Sequence, residues 1–400
     1  MSFIRRSSRN RLLALITALV VLGIASVALA AGTLSASTAK PPPKPLAQAL
    51  ADAAAAPAVD GVTARIAFTN RLVGGDLVPG NSPLLAGATG RLWAAQDGRF
   101  RLELQGDAGD AQILGDGTAV TVIQPGNSTV YRFVLPAKDA ASTTPTADTP
   151  PTAAGIQAQL DKLAGAVVLS GAEPTSVAGQ PAYEVRLAPA ANGGLLGAVA
   201  VAWDAARGVP LRAAIYARGA TDPTLELTAT DIAFGPVASD ALNVPVPAGA
   251  KVQTVDLGQL RHDRSSATAG DTHAPETVAQ VQANVSFPLH APATAAGLPR
   301  TSIHTVGGNG DGKAGALVVY GHGLGSIAVL EQAADAGAAA TARPAGIDLP
   351  SVSIAGAPGS ELSTALGSVV RVTKDGVTTT VLGSVPAAAA EAAASDVVSS

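Results

Sequence analysis

Residues 90–134 read GRLWAAQDGRFRLELQGDAGDAQILGDGTAVTVIQPGNSTVYRFV, and this stretch decides the fold. Within it Phe100, Leu102 and Leu104 alternate with charged or polar neighbours, which gives a strand one apolar face and one wet face. Three dipeptides supply the positive-φ residues of tight hairpin turns: Asp97-Gly98, Asp116-Gly117 and Gly126-Asn127. The stretch therefore predicts an antiparallel meander. Its apolar face must be covered, either by a core helix or by a ligand.

The composition excludes several classes of protein. The chain has 400 residues, enough for two or three domains. Its formal net charge is −4 and the charges are interspersed, so no nucleic-acid partner is indicated. The absence of Cys excludes disulfides, thiolate metal sites and a lipid-modified cysteine. Ala is abundant and aromatic residues make up only 3%, so the apolar fraction overstates how much area the core buries.

The N-terminus has the pattern of an export signal. Arginines at positions 5, 6, 9 and 11 precede the apolar run LLALITALVVLGIASVALAAGTL. Residues 12–31 approach the roughly 20 residues that span a bilayer. Ala28-Leu29-Ala30 also offers a cleavage site with small residues at its outer positions. A signal anchor and a cleaved signal peptide both remain open. Either predicts an exported protein, anchored in the cell membrane by its N-terminal segment or secreted to the cell envelope.

Changes in composition predict the domain boundaries. A signal peptide or anchor (1–40) precedes a main domain (41–255), a polar linker (256–274), a small C-terminal domain (275–386) and a tail (387–400). The PPPKP sequence from Pro41 predicts a stiff, extended spacer. The main domain is expected to hold about eight to ten strands and two helices, at 46–56 and 155–164. The sequence of the C-terminal domain predicts a short helix and several strands, with a hairpin turn at Asp375-Gly376. For the tail, the sequence predicts a small helix that frays.

The order of short motifs along residues 46–255 resembles the actinobacterial branch of the LolA-like lipoprotein-carrier superfamily. The matching motifs are GRLW from Gly90, GRFRLE from Gly98, VAWD from Val201, VPLR from Val209 and VPAGAKV from Val246. The resemblance implies an α+β fold: a curved antiparallel half-barrel with capping helices, followed by a smaller C-terminal α+β domain. In that superfamily the concave apolar face holds acyl chains of lipids or lipoproteins. The missing lipobox Cys is a departure from many relatives.

The two-domain layout is also similar to RseB-like proteins, which bind an anti-sigma factor and sense mislocalised lipoproteins. Two functional hypotheses follow. One is an extracytoplasmic carrier that binds lipid or lipoprotein acyl chains. The alternative is a regulatory protein that binds an anti-sigma factor or another membrane protein.

Alternation in the strands places a set of apolar side chains on one face, and these are the candidate acyl-binding residues: Phe100, Leu102, Leu104, Ile113, Val122, Val185, Val201 and Trp203. Alternation alone does not separate a ligand face from an ordinary core. Trp93 and Tyr131 fall out of phase, so a place at the rim and a place on the outer face both remain open.

Motifs that suggest catalysis fail on their details. Gly307 to Lys313 has the spacing of a phosphate-binding loop, but Ala314 stands where that motif needs Ser or Thr, so a hairpin loop is the better interpretation. Ser326 is not centred between glycines as a nucleophile elbow requires. The five His lack zinc-binding spacing. The sequence therefore predicts a non-enzyme with no catalytic residue, no metal and no cofactor.

Overall fold

The computed structural model describes residues 40–74, 83–107, 109–124, 129–135, 151–191, 193–256, 276–307, 314–334 and 349–400. The strands of the N-terminal module are β1 Gly61–Asn70, β2 Ala88–Ala95, β3 Phe100–Gly106, β4 Gly109–Gly115, β5 Ala119–Ile123, β6 Thr129–Val134, β7 Val167–Leu169, β8 Glu173–Val177, β9 Gln180–Pro189, β10 Leu196–Asp204, β11 Pro210–Ala217, β12 Leu225–Phe234 and β13 Lys251–Asp256. Its helices are α1 Leu46–Ala55, α2 Pro83–Ala86, α3 Ala153–Leu163 and α4 Ser239–Leu242.

These strands form one sheet in the order β13-β6-β5-β4-β3-β2-β1-β12-β11-β10-β9-β7, with β8 paired to β9. Neighbouring strands are antiparallel, except that β13 runs parallel to β6. The predicted meander is therefore confirmed over β2 to β6. Gly98 and Gly117 adopt φ of 85° and 87° at the predicted turns, which suits glycine. The third predicted turn, Gly126-Asn127, lies outside the described residues.

The sheet is curved, and two local features contribute to this. The register between β1 and β12 shifts at Arg65/Ile66, a β-bulge that increases twist. At Gly90 in β2 an added Cβ would lie 1.8 Å from the Glu103 carbonyl oxygen in β3, so only glycine permits the approach of these backbones. The curved, mostly antiparallel sheet with short helices confirms the expected α+β half-barrel class.

The two longer helices agree with the sequence prediction to within two residues at each end. Helix α1 buries only alanines, at positions 47, 49 and 51. Helix α3 begins after Thr152, whose hydroxyl accepts a hydrogen bond from the Gly155 N–H at 3.2 Å. It packs on α1 but buries none of its residues. Across the part of the chain that the structure describes, no helix combines the length and apolarity required to cross a membrane.

The Lys40 to Pro45 segment is not the free spacer that its composition predicted. Pro41 is buried, and the Tyr183 hydroxyl donates a hydrogen bond to the Pro42 carbonyl oxygen at 2.6 Å. Lys44 forms an isolated β-bridge with Ala172. An extended proline-rich strand leaves its carbonyls unpaired, and here a buried tyrosine uses one of them to hold the segment against the sheet.

The C-terminal module is a second sheet in the order β14-β15-β16-β17-β21-β20-β19-β18. Its elements are α5 Val278–Asn284, β14 Thr294–Ala295, β15 Leu298–Gly307, β16 Ala314–Tyr320, β17 Ile327–Ala333, β18 Ser351–Ile354, β19 Ala357–Thr364, β20 Gly367–Lys374, β21 Val377–Gly383 and α6 Ala387–Val398. Two backbone contacts join the modules: Leu195 N–H to the Ser384 carbonyl at 2.9 Å, and Ala365 N–H to the Leu72 carbonyl at 2.8 Å.

Helix α6 corrects the prediction of a fraying tail. Its Ala390, Ala393, Ala394 and Val397 are fully buried in the core of the C-terminal module. They recur at helical spacing, and alanine lets a helix approach a sheet closely. The tail is thus part of the domain core rather than an appendage.

Candidate functional site

One face of the large sheet is apolar across most of its strands. Directly paired residues of antiparallel strands project to the same side. A single row therefore crosses six strands, made of Ala64, Leu92, Leu102, Ile113, Val122 and Tyr131. On the other side of β1 the same face continues from Phe68 through Leu227, Ala213, Val201 and Val185.

All eight candidate residues lie on this face, which we call the apolar face. On β3, Phe100 and Leu104 lie two residues before and after Leu102, so they share its face. On β10, Trp203 lies two residues after Val201 and therefore shares the face of Val201 and its partner Val185. The sheet thus brings together residues that are far apart in the chain. Their surroundings, however, divide them into two groups.

The first group is buried as ordinary core. Leu104 is 1% exposed and belongs to a cluster that includes Leu84 of α2. Val185 and Trp203 are each 5% exposed and pack with Leu46 and other residues of α1. Val201 is buried beside them in the sheet. For these four residues the cover over the face is protein.

The second group lies on β3 to β6 and is only half-buried. We call it the open wing, and it consists of Phe100, Leu102, Ile113, Val120, Val122, Tyr131 and Phe133. Helix α2 packs on β1, β3 and β4, and the most extensive contacts of β5 and β6 among described elements are with strands. The open wing therefore presents large apolar side chains that the described helices leave partly uncovered.

Sequence reasoning missed three members of the open wing. Val120, Tyr131 and Phe133 join it because Val120 pairs with Phe133 and Val122 pairs with Tyr131. The two-residue alternation in TVYRFV, residues 129–134, was the signal that could have found the two aromatic residues. Trp93 lies on the opposite face, where the Arg101 guanidinium sits 5.0 Å from its ring centre.

Charged groups gather on that opposite face. Arg212 bonds Glu184 at 2.6 Å and Glu226 at 2.5 Å, and it also donates to the Tyr216 hydroxyl at 2.7 Å. Burial acts to lower the pKa of this guanidinium, but the bond to Tyr216 and the two carboxylates outweigh it, so the pKa is raised. This face is not polar throughout, because Ala119 and Ile123 of β5 and Val130 of β6 are buried on it.

A cleft of about 280 Å³ opens at one end of the apolar face. Its walls come from three places: the proline segment at Pro41 and Pro42, the β8–β9 turn at 179–181, and the β10–β11 turn at 204–207, with Tyr183 between them. Lys44 and Arg207 also line it, but Lys44 pairs with Asp52 at 2.6 Å and Arg207 with Asp204 at 3.3 Å.

Beside this cleft lies a buried donor without an acceptor. The Trp203 indole Nε1 is buried and has no hydrogen-bond partner among the residues that the structure describes. The Trp203 ring centre is 6.2 Å from that of Tyr183, which lines the cleft. The indole N–H can only donate.

The motifs that suggest catalysis are only partly described. Gly307 pairs with Ala314 at the ends of two antiparallel strands, and residues 308–313 of the glycine-rich stretch lie outside the described residues. The Ser326 hydroxyl donates to the Gly323 carbonyl at 2.9 Å. Within the described ranges no group of three His, Cys, Asp or Glu side chains could hold a metal ion.

No protein-family model matches the chain, and no curated protein matches it. Solved structures do match. The Pseudomonas aeruginosa MucA/MucB complex is 17% identical with a TM-score of 0.37, and the match covers 87% of this chain and 94% of that one. An outer membrane lipoprotein-sorting protein domain from Vibrio parahaemolyticus is 12% identical with a TM-score of 0.23, over 50% of this chain and 96% of that one. The LolA superfamily protein NE2245 from Nitrosomonas europaea is 14% identical with a TM-score of 0.21, over 50% and 98%.

Proposed function

We propose that the chain is an exported, non-enzymatic protein whose N-terminal module binds an acyl chain of a lipid or lipoprotein on the open wing. The observation that carries this proposal is the row of half-exposed apolar side chains on β3 to β6, which the described helices do not seal. Leu104, Val185, Val201 and Trp203 belong to the floor of the same face rather than to its open part.

Affinity in such a site comes from burial rather than from polar contacts. Each buried methylene contributes about 0.8 kcal/mol. A long acyl chain laid across Leu102, Ile113 and Val122 therefore gains several kcal/mol without any specific hydrogen bond. This explains why a binding function leaves no sharp motif in the sequence.

Two neighbouring residues of β5 provide a matched test. Val122 projects to the apolar face, opposite Ile113 and Tyr131, while Thr121 projects to the other face beside Arg132. Both are half-buried. We expect Val122→Asp to abolish binding of a fluorescent fatty-acyl probe, because the bound acyl chain would remove water from the new carboxylate at a large cost in free energy. Thr121→Asp should bind like wild type.

Native mass spectrometry of the exported protein, purified gently, provides the direct measurement. We expect co-purified lipid on wild type and on Thr121→Asp, and none on Val122→Asp. The same lipid occupancy on both variants would contradict the proposal, as would a wild-type protein that takes up no acyl probe.

A second candidate function is regulatory, as in an RseB-like protein that binds an anti-sigma factor or another membrane protein. It is favoured by a row of apolar residues on the C-terminal module, where Val369 pairs with Leu362 and Leu382. Val369 is 37% exposed and Leu382 is 43% exposed. Photo-crosslinking from position 382, with position 375 as control, should capture a membrane protein if this candidate is correct.

A further inference from the structure

The apolar face contains a buried donor that no side chain or backbone oxygen in the described chain satisfies. Trp203 is only 5% exposed, and its indole Nε1 is buried without a hydrogen-bond partner. Buried polar groups in folded proteins are nearly always hydrogen-bonded, so each exception needs an explanation. Two other such groups in this module, on Arg101 and Gln112, lie on the opposite face, among the charged residues.

The surroundings of Trp203 limit the kind of acceptor that fits there. Leu46, Leu50 and Val185 pack around the indole, so the acceptor arrives in an apolar setting. The Tyr183 hydroxyl donates to the Pro42 carbonyl, and its oxygen does not accept from the indole N–H, which has no partner in the described chain. A neutral oxygen attached to a hydrocarbon chain meets both requirements.

We propose that Trp203 donates its indole N–H to the carbonyl oxygen of an ester- or amide-linked acyl chain bound on the apolar face. This inference rests on the function proposed above and adds a polar determinant to it. The ligand class is then the acylated molecule, with its linkage intact, rather than the free fatty acid. Trp203 is a specificity-determining residue in a site that otherwise gains affinity from area alone.

The charges at the adjoining cleft explain why a carboxylate fits less well. Lys44 is paired with Asp52, and Arg207 is paired with Asp204, whose side chain is 1% exposed. A free fatty acid would place its anion beside cations that are already neutralised, and it would lose hydration without a compensating charge. An ester or amide carbonyl is uncharged, so its desolvation costs much less than that of a carboxylate.

Helix α1 covers Trp203, so a ligand reaches the indole when this helix moves aside. The fully buried residues of helix α1 are alanines, and its Leu46 and Leu50, which pack against the Trp203 cluster, stay partly exposed. Its N-terminus follows Pro45, which provides no side-chain cap. The helix α3 outside it buries no residue. The cleft lies near the indole without being lined by it: Tyr183, whose ring centre is 6.2 Å from that of Trp203, forms part of the cleft wall.

The test compares two lipids that differ in one oxygen. Palmitoyl-lysophosphatidylcholine has an ester carbonyl, and hexadecyl-lysophosphatidylcholine has an ether with the same chain and headgroup. Both are titrated calorimetrically into the exported protein below their micelle concentrations. Wild type should bind the ester about two- to tenfold more tightly, the range of one neutral hydrogen bond. Trp203→Phe keeps the ring and should bind the two lipids equally, while Trp93→Phe should retain the preference.

Nuclear magnetic resonance gives a measurement that needs no variant at position 203. The chain has two tryptophans, so a ¹⁵N spectrum has two indole N–H signals, and Trp93→Phe assigns them. The ester should move the Trp203 signal downfield, and the ether should not. Equal binding of both lipids by wild type, or a preference that survives in Trp203→Phe, overturns the inference but leaves acyl binding intact. If neither lipid binds, the proposed function itself fails.

Discussion

Substituting Glu331 with Gln should remove a pH-dependent weakness from the C-terminal module. Glu331 lies on β17 and is fully buried among the apolar residues of the core. One carboxylate oxygen accepts the His290 backbone N–H at 2.9 Å. The other has no hydrogen-bond partner in the described chain, since the His290 Nδ1 is 3.8 Å away. Burial raises the pKa of Glu331 to about 7, against the smaller opposing effect of the His290 N–H.

The sign of the effect follows from proton binding. In the unfolded chain this carboxyl has an ordinary pKa near 4.5, whereas in the folded protein it is about 7. Between these pH values the folded state holds a proton that the unfolded state has lost, so the free energy of unfolding falls as pH rises from 4.5 to 7 and is then level. At about 1.4 kcal/mol per pH unit, the loss is about 3 kcal/mol. Gln cannot ionise and escapes this loss.

Urea unfolding between pH 4.5 and pH 8 measures the difference. Glu331→Gln should match wild type at pH 4.5 and exceed it by about 3 kcal/mol at pH 8. The protection of the β17 amides from hydrogen exchange should show the same dependence on pH. This measurement reports on the C-terminal module even if that module unfolds independently of the rest of the protein. The control is Asp375→Asn, an exposed position of the same module, and it should show no such gain. A difference between Glu331→Gln and wild type that stays constant with pH would refute the reasoning.

Two further substitutions test the sheet. Arg212→Ala leaves Glu184 and Glu226 without their shared cation and should lower the free energy of unfolding by about 3 kcal/mol at pH 7; thermal unfolding at pH 7 and pH 3 checks this, and a loss that does not shrink at pH 3 contradicts it. Gly115→Val places a Cβ 2.1 Å from the Phe100 ring, which lies across β4. Gly115→Val should lower the free energy of unfolding by about 1–3 kcal/mol and weaken binding of the acyl probe. Unchanged binding would show that Phe100 does not contact the ligand.

Much of the N-terminal module could be predicted from the sequence because its signals are local. The alternation of Phe100, Leu102 and Leu104 fixed which side chains share a face, and the Asp-Gly turns fixed where strands reverse. Helix α1 was predicted at 46–56 and found at Leu46–Ala55. Such patterns depend on neighbours two to four residues apart, which the sequence displays directly.

What could not be predicted depends on contacts between distant parts of the chain. Alternation assigns Leu104 and Val122 to the same face, but the position of α2 determines that Leu104 is covered by protein and Val122 is partly exposed. The docking of the proline segment required Tyr183, more than a hundred residues away. The fraying prediction for α6 failed because an alanine stripe has low apparent hydrophobicity yet packs tightly when a sheet is close. Neighbouring residues determine which side chains of a strand share a face, but distant parts of the chain determine what covers that face.

The bond between Tyr183 and Pro42 also has a mechanical meaning. The proline segment continues directly into α1, since Pro45 is the residue at its N-terminus. A tension applied at residue 40 therefore first loads the bond between Pro42 and Tyr183 of β9 and the β-bridge between Lys44 and Ala172, and only then the first turn of α1. The two modules touch at the other end of β9, whose 10 residues span about 30 Å. Tension on the N-terminal segment would thus enter the large sheet at the start of β9, at the end away from the junction between the modules.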